Sequence, residues 1–301
     1  AGRGSPHRWR RWSNSGMNKV IFDCDNTMGL FTKEVDDGLT LYYLLGQPDV
    51  DLLGVTTTFG NGPLEKVHSQ TVKMLAELGR KDIPVKQGAA NRSQKSTPAA
   101  QFLAETAAAH PGELIVLATG PLGNLRGAWE QDPDFYRNLK GIYCMGGYLR
   151  PVRLGRREVR ELNLSADPEA SYQVLNAPCP VTLMNAQICL QAPFTWSDFR
   201  KTSFWSRKTR RSIREWLILH GIFCGIGNFY LWDLLPAVCI SHPDLFINNQ
   251  VSIDSSLNDL NTGTLLPREG EGDSGINMPV MIQDLDRFKE VLFQAWKKIS
   301  I

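Results

Sequence analysis

The chain has 301 residues, 42% of them hydrophobic and 21% charged, with a mean hydropathy of -0.24, which is enough apolar material for a sizeable core and excludes the disordered, collagen-like, coiled-coil and mucin-like classes. Its formal charge of +2 hides an uneven distribution: residues 1–16 hold four arginines (Arg3, Arg8, Arg10, Arg11) and no acid, and without them 29 basic side chains face 31 acidic ones. Apolar runs such as 41–45 and 114–118 fall far short of the roughly 18 to 20 residues that a membrane-spanning helix needs, so the sequence reads as a soluble protein with no membrane partner.

The basic stretch at 1–16 has no apolar periodicity and reads as a disordered leader or a segment appended in cloning, separate from one domain at 17–301; a nucleic-acid-binding arm is the functional alternative. From Met17 onward, short β-rich runs alternate with amphipathic stretches. Strands are expected at 19–22, 52–58, 83–86, 114–118, 141–145 and 181–184, with helices at 38–45 and 63–78 and between most of the later strands. The run Ala166-Asp167-Pro168-Glu169 is a helix start, with Asp at the N-cap, Pro at the first helical position and an acid near the positive end of the dipole; this helix should extend to about 175. Beyond Pro193 the pattern becomes more helical, over 196–220, 230–240 and 284–298. There is no internal repeat and no dividing linker. The fold class is therefore α/β, a single domain with a mostly parallel, Rossmann-like central sheet flanked by helices. Six cysteines, Cys24, Cys144, Cys179, Cys189, Cys224 and Cys239, show neither a C-x-x-C pair nor zinc spacing. They read as reduced core thiols of a cytoplasmic protein.

In parallel sheets, ligands bind beyond the carboxyl ends of the strands. Polar residues follow apolar runs at Asp23-Cys24-Asp25-Asn26, at Thr57-Thr58-Phe59-Gly60-Asn61 and at Thr119-Gly120-Pro121-Leu122-Gly123-Asn124; Trp232-Asp233 stands far downstream. Asp23, Asp25, Asp36 and Asp37 fall within fifteen residues. Gathered at one sheet edge they would repel one another, and a divalent cation with a taste for oxygen ligands, calcium above all, would relieve them. The plainer reading is that aspartates simply favour loops and N-caps.

These residues resemble the inosine-uridine type nucleoside hydrolases. Val20-Ile21-Phe22-Asp23-Cys24-Asp25 with Asp36-Asp37, then 53–61, looks like the family's N-terminal signature. The segments 118–125, Met145-Gly146-Gly147 and 161–170 look like its metal loop, the turn after it and its ribose-binding segment, in the right order. The resemblance implies the nucleoside hydrolase fold and hydrolysis of the N-glycosidic bond of ribonucleosides to base and ribose, in a homodimer or homotetramer. It assigns calcium to the carboxylates of Asp25, Asp37 and Asp233 and the carbonyl of Thr119, gives Asp25 the further role of general base on a metal-bound water, and places Asp36, Asn61, Glu161 and Asn163 on ribose hydroxyls. A cationic sugar in the transition state suits such a carboxylate-rich site.

Many relatives carry a histidine immediately before the late metal-binding aspartate, where this chain has Trp232. A Trp there resembles the purine-selective branch, in which stacking on the indole makes the base a better leaving group; the alternative is a core residue of a helix. Phe59, Trp196, Trp205, Phe229 and Tyr230 are candidates for a second aromatic wall. Two departures stand out. Ten residues, Asn26 to Val35, separate Asp25 from Asp36 where the family usually has three, and 150–160, with five arginines, lacks the asparagine that relatives place there for the 5′-hydroxyl. Those arginines could meet a phosphate or form a solvated loop. The seven basic residues from Arg200 to Arg214 read as a solvated helix face, with no nucleic-acid partner. Two rival functions remain. One is a non-catalytic calcium-dependent nucleoside-binding protein. The other is a haloacid-dehalogenase-like phosphatase using Asp23 as nucleophile and Asp25 as acid/base, for which Gly272-Asp273 is the only late metal-site candidate and lacks an apolar run before it.

Overall fold

The computed structural model describes residues 16–269 and 275–299; apart from Gly16, the basic leader lies outside the described residues, as does Gly272-Asp273. The chain alternates through β1 (Asn18–Cys24), α1 (Asp36–Gly46), β2 (Val50–Thr57), α2 (Leu64–Glu77), β3 (Val85–Gln87), α3 (Pro98–Ala109), β4 (Leu114–Ala118), α4 (Gly123–Gln131), the single turn α5 (Phe135–Asn138) and β5 (Leu139–Met145). A hairpin of β6 (Val152–Leu154) and β7 (Arg157–Val159) precedes α6 (Pro168–Leu175), β8 (Val181–Met184), α7 (Ala186–Cys189), β9 (Pro193–Thr195), α8 (Trp196–Arg200), α9 (Arg207–Cys224), β10 (Asn228–Tyr230) and α10 (Leu234–Ser241). Then come β11 (Phe246–Ile247), β12 (Gln250–Ile253), α11 (Leu257–Leu260), β13 (Pro267–Glu269), β14 (Ile276–Asn277), β15 (Met281–Ile282) and α12 (Leu285–Lys298).

Among the described residues, nine strands form one sheet in the order β13-β12-β14-β8-β5-β4-β1-β2-β3. From β3 across to β14 every pairing is parallel; only β12 runs antiparallel to its two neighbours. The mostly parallel sheet expected from the sequence is thus present, with an antiparallel edge added. Helices cover both faces, which is why the central strands read as unbroken apolar runs. In β1, Val20 and Phe22 point into one core cluster while Ile21 points into the other, as the two-residue period of a strand demands.

Several local signals act as expected. Asp167 caps α6, accepting from the Ala170 N–H at 3.1 Å, and Asp284 caps α12 through the Arg287 N–H at 2.9 Å. Two segments differ. The single helix expected over 196–220 is broken into α8 and α9, because Ser206 starts a new helix by accepting from the Thr209 N–H at 3.2 Å. The arginine-rich 150–160 stretch is the hairpin β6–β7 rather than an open loop. It turns at Gly155, whose φ is +53° and where a Cβ would lie 2.0 Å from the Cys224 carbonyl oxygen, so only glycine fits. On α8 and α9 the basic residues are partly engaged: Lys208 bonds Glu77, Arg211 pairs with Glu215 at 2.7 Å, and Arg210 lies over the Phe199 ring. All six cysteines are unpaired, and no helix among the described residues is long and apolar enough to cross a membrane.

Candidate active site

The sheet register builds the floor of the site. Asp23 in β1 stands opposite Thr56 of β2 and Ala118 of β4, and beyond the strands the backbone keeps pairing, Thr58 N–H to the Cys24 carbonyl (3.0 Å) and Thr119 N–H to the Asp23 carbonyl (2.9 Å). Asp25, the 58–61 turn and Thr119 are thereby brought side by side at the carboxyl edge. Asn61 grips Asp25 twice, donating its backbone N–H to Oδ2 at 2.6 Å and its Nδ2 to Oδ1 at 3.3 Å. Gly60 permits this approach: its φ is +153° and a Cβ there would lie 1.9 Å from Asp25 Oδ2.

The remaining carboxylates come from two helix starts. Asp36 and Asp37 form the first turn of α1, and Asp233 is the N-cap residue of α10. These helices pack on each other, so two positive dipole ends face the same acidic cluster. Asp36 shares a hydrogen bond with Asp233, and Asp25 shares one with Asp37. Thr119 Oγ1 donates to Asp37 Oδ1 at 2.7 Å, while its carbonyl accepts from Asn163 Nδ2 at 2.9 Å.

Burial dominates the electrostatics. It pushes the carboxyls of Asp25 and Asp36 up to about 7 and those of Asp37 and Asp233 well above the usual range, with neighbouring acids adding to the effect. Carboxyls so placed cannot all ionise unless positive charge joins them. Oxygen atoms of Asp36, Asp37 and Asp233 lie within 4.8 Å of one another, and Asp36 Oδ1 is buried without a hydrogen-bond partner. An all-oxygen donor set of this kind fits a hard divalent cation.

Above the cluster opens a cleft of about 670 Å³ including its mouth, into which Asp36, Asn61, Thr119, Glu161, Asn163, Trp232 and Asp233 all face. Asp25 and Asp37 are buried and do not line it, but are hydrogen-bonded to two residues that do, Asn61 and Thr119. The carboxylates that close on one point are Asp36, Asp37 and Asp233, so Asp36, expected on the ribose, joins this group, whereas Asp25, expected on the metal, is outside it and reaches the cleft edge through its hydrogen bonds with Asn61. Glu161 reaches it with its carboxylate already accepting from the N–H groups of Gly147 (3.0 Å), Leu164 (2.8 Å) and Ser165 (2.7 Å), so it also fixes the turn that presents Asn163. Trp232, half-buried just before α10, lines the cleft while also packing against the hydrophobic core, with Tyr230 on it at a centroid distance of 5.6 Å.

Asp23 does not join them. It is fully buried within β1, with Oδ1 held by Thr56 Oγ1 (2.5 Å) and Asn124 Nδ2 (2.7 Å), and burial raises its carboxyl to about 7. A side chain turned into the sheet cannot serve as the phosphatase nucleophile. None of the five aromatic candidates for a second wall lines the cleft; Tyr148 does, together with Val152 and Val159 of the β6–β7 hairpin. Its only sequence signal was its place directly after Gly146-Gly147. Glu34, half-buried at the cleft wall and raised to about 8 by burial and by Asp36, was hidden inside the long insert. Of the five arginines at 150–160, Arg160 reaches the cleft.

A family model described as inosine-uridine preferring nucleoside hydrolase matches residues 20–290. Uridine nucleosidase 1 of Arabidopsis thaliana is 26% identical over 76% of this chain and 75% of its own length. Among solved structures, a plant nucleoside hydrolase, the PpNRh1 enzyme, superposes with a TM-score of 0.81 at 20% identity, covering 93% of this chain and 99% of that one. A purine-preferring ribonucleoside hydrolase from Gardnerella vaginalis also gives 0.81, at 19% identity over 94% and 99% of the two chains.

Proposed function

The chain belongs to the inosine-uridine preferring nucleoside hydrolase family and is a ribonucleoside N-glycosyl hydrolase; we propose that it prefers purine nucleosides, depends on calcium and uses Asp25 as its general base. The observation that carries this reading is the meeting of Asp25, Asp36, Asp37 and Asp233, drawn from opposite ends of the chain, at a cleft walled by Trp232.

In this reading Asp25, Asp37, Asp233 and the Thr119 carbonyl hold the cation. When bound, calcium lowers the pKa of water and orients the sugar diol. Asp36, Asn61, Glu161 and Asn163 bind ribose hydroxyls. Because Asn163 Nδ2 is committed to the Thr119 and Met145 carbonyls, its amide oxygen is the atom that meets the sugar. Asp25 takes the proton from the attacking water, and the double grip of Asn61 holds it in line for that transfer. The surrounding carboxylates stabilise positive charge as it grows on the ribose ring. Among the described residues no histidine lines the cleft. Trp232 cannot donate a proton to the departing base, but its flat indole stacks on a purine and favours protonation of that ring. The six unpaired cysteines accord with a reducing, cytoplasmic setting.

The test is to incubate the protein with inosine, guanosine, uridine and cytidine, with and without chelator, and to measure free base. Purine release abolished by chelation is expected, and uridine turnover above that of inosine would reverse the base preference. Asp25→Asn should lower kcat by at least about 10²-fold; a loss under about threefold would remove Asp25 from the base role.

A further inference from the structure

The ten residues between Asp25 and Asp36 are the part of the acidic motif that the family spacing leaves unexplained. They are anchored at both ends. Met28 is buried against α1, its carbonyl accepting from Gln70 Nε2 at 2.6 Å and its N–H donating to Asn26 Oδ1 at 3.0 Å. On the return leg Thr27 Oγ1 donates to the Glu34 carbonyl at 3.3 Å, and Lys33 Nζ to the Asn61 carbonyl at 2.6 Å. The insert is thus tied to α2 on one side and to the turn that holds Asp25 on the other. Between these ties the chain delivers Glu34 to the cleft wall beside Asp36 and Asn61, where the Asn61 side chain hydrogen-bonds its carboxyl. Lys33, its neighbour, turns away to the Asn61 carbonyl. The β6–β7 hairpin and the residue after it add Val152, Val159 and Arg160 to the lining of the same cleft, and no side-chain amide. The cleft therefore carries one carboxyl, that of Glu34, beyond those assigned to the metal and the ribose.

Building on the reading of this cleft as a ribonucleoside site, we propose that Glu34 is a further ribose-contacting residue, hydrogen-bonding one of the three sugar hydroxyls. A carboxyl fixed by its backbone and by Asn61 is preorganised for that contact, and the sugar would meet it without reordering the loop.

The experiment compares wild type, Glu34→Ala and Glu34→Gln on a ribonucleoside and on its 2′-, 3′- and 5′-deoxy analogues, by kcat/KM and by calorimetric binding, with calcium content and Tm recorded for each variant. Glu34→Ala should reduce kcat/KM on the parent about ten- to a hundredfold, and the penalty should shrink below about threefold on one analogue only, the one lacking the hydroxyl that Glu34 holds. Glu34→Gln, which keeps a hydrogen-bonding head, should recover part of the loss. The same penalty on all four substrates, with or without loss of calcium or a fall in Tm, would overturn the proposal. Should the wild type hydrolyse no nucleoside, the assigned activity fails by itself, and binding of the same four ligands still decides the role of Glu34.

Discussion

Two residues apart, Asp23 inside β1 and Asp25 just beyond its end, the two aspartates have different duties. Asp23 is locked into the sheet by Thr56 and Asn124, whereas Asp25 lies past the strand end in the grip of Asn61. A D-x-D spacing cannot distinguish these fates, because alternation alone puts both side chains on the same side of a strand and only the point at which the strand stops separates them. Trp232 belongs to the same scale. A stacked base is worth about 1–3 kcal/mol to an aromatic partner, so Trp232→Ala should lower kcat/KM for inosine about ten- to a hundredfold while sparing nitrophenyl riboside, whose leaving group needs no protonation. Equal losses on the two substrates, measured side by side, would argue against stacking as the source of activation. Tyr148 was not legible as a wall: its backbone is tied to the 263–265 segment, N–H to the Gly263 carbonyl and carbonyl to the Leu265 N–H, each at 2.9 Å. Nothing local in the sequence announces a contact so distant.

Among the elements, those with strong local signals were legible to within a residue or so. Strands β4 and β8 have the expected bounds because each is a wholly buried apolar run, and α6 starts where its cap and proline require. The short pieces β12, β13 and β14 and the β6–β7 hairpin were not legible, since two to four residues held by distant partners show no periodicity of their own. The α6 cap has a second task that gives a prediction. Asp167 also accepts from Lys95 Nζ at 2.6 Å, with both side chains largely buried. Asp167→Ala should therefore destabilise the fold by about 3 kcal/mol, more than the roughly 1 kcal/mol of an ordinary cap, because it also strands a buried ammonium. Asp167→Asn, which can still cap, should cost less than the alanine variant. Urea denaturation of both variants checks the order, and equal midpoints would show that the ion pair contributes nothing.

For the whole molecule, the carboxyl edge of the sheet is the organising feature. The motifs at 23–25, 57–61 and 119–124 were legible as a site because each follows a buried parallel strand, and sheet topology aligns such ends. The position of Asp233 was not legible that way, since it follows no strand of the nine-stranded sheet and reaches the cluster through the packing of α10 on α1. A cation that binds only the assembled cluster stabilises the native state by mass action, by about 2.7 kcal/mol at a hundredfold excess over Kd. Calorimetric scans should accordingly show Tm rising with calcium and falling with chelator. A Tm insensitive to both would leave the buried carboxylates without their proposed counter-charge.

The arrival of the last carboxylate on α10 has a consequence for biosynthesis. Until a ribosome has translated as far as α10, the emerging polypeptide already owns Asp25, Asp36 and Asp37 but lacks their fourth companion at Asp233. A cation that needs all four carboxylates is captured only after synthesis has passed α10, and a prematurely terminated product, however well its early strands pair, would be born without that centre.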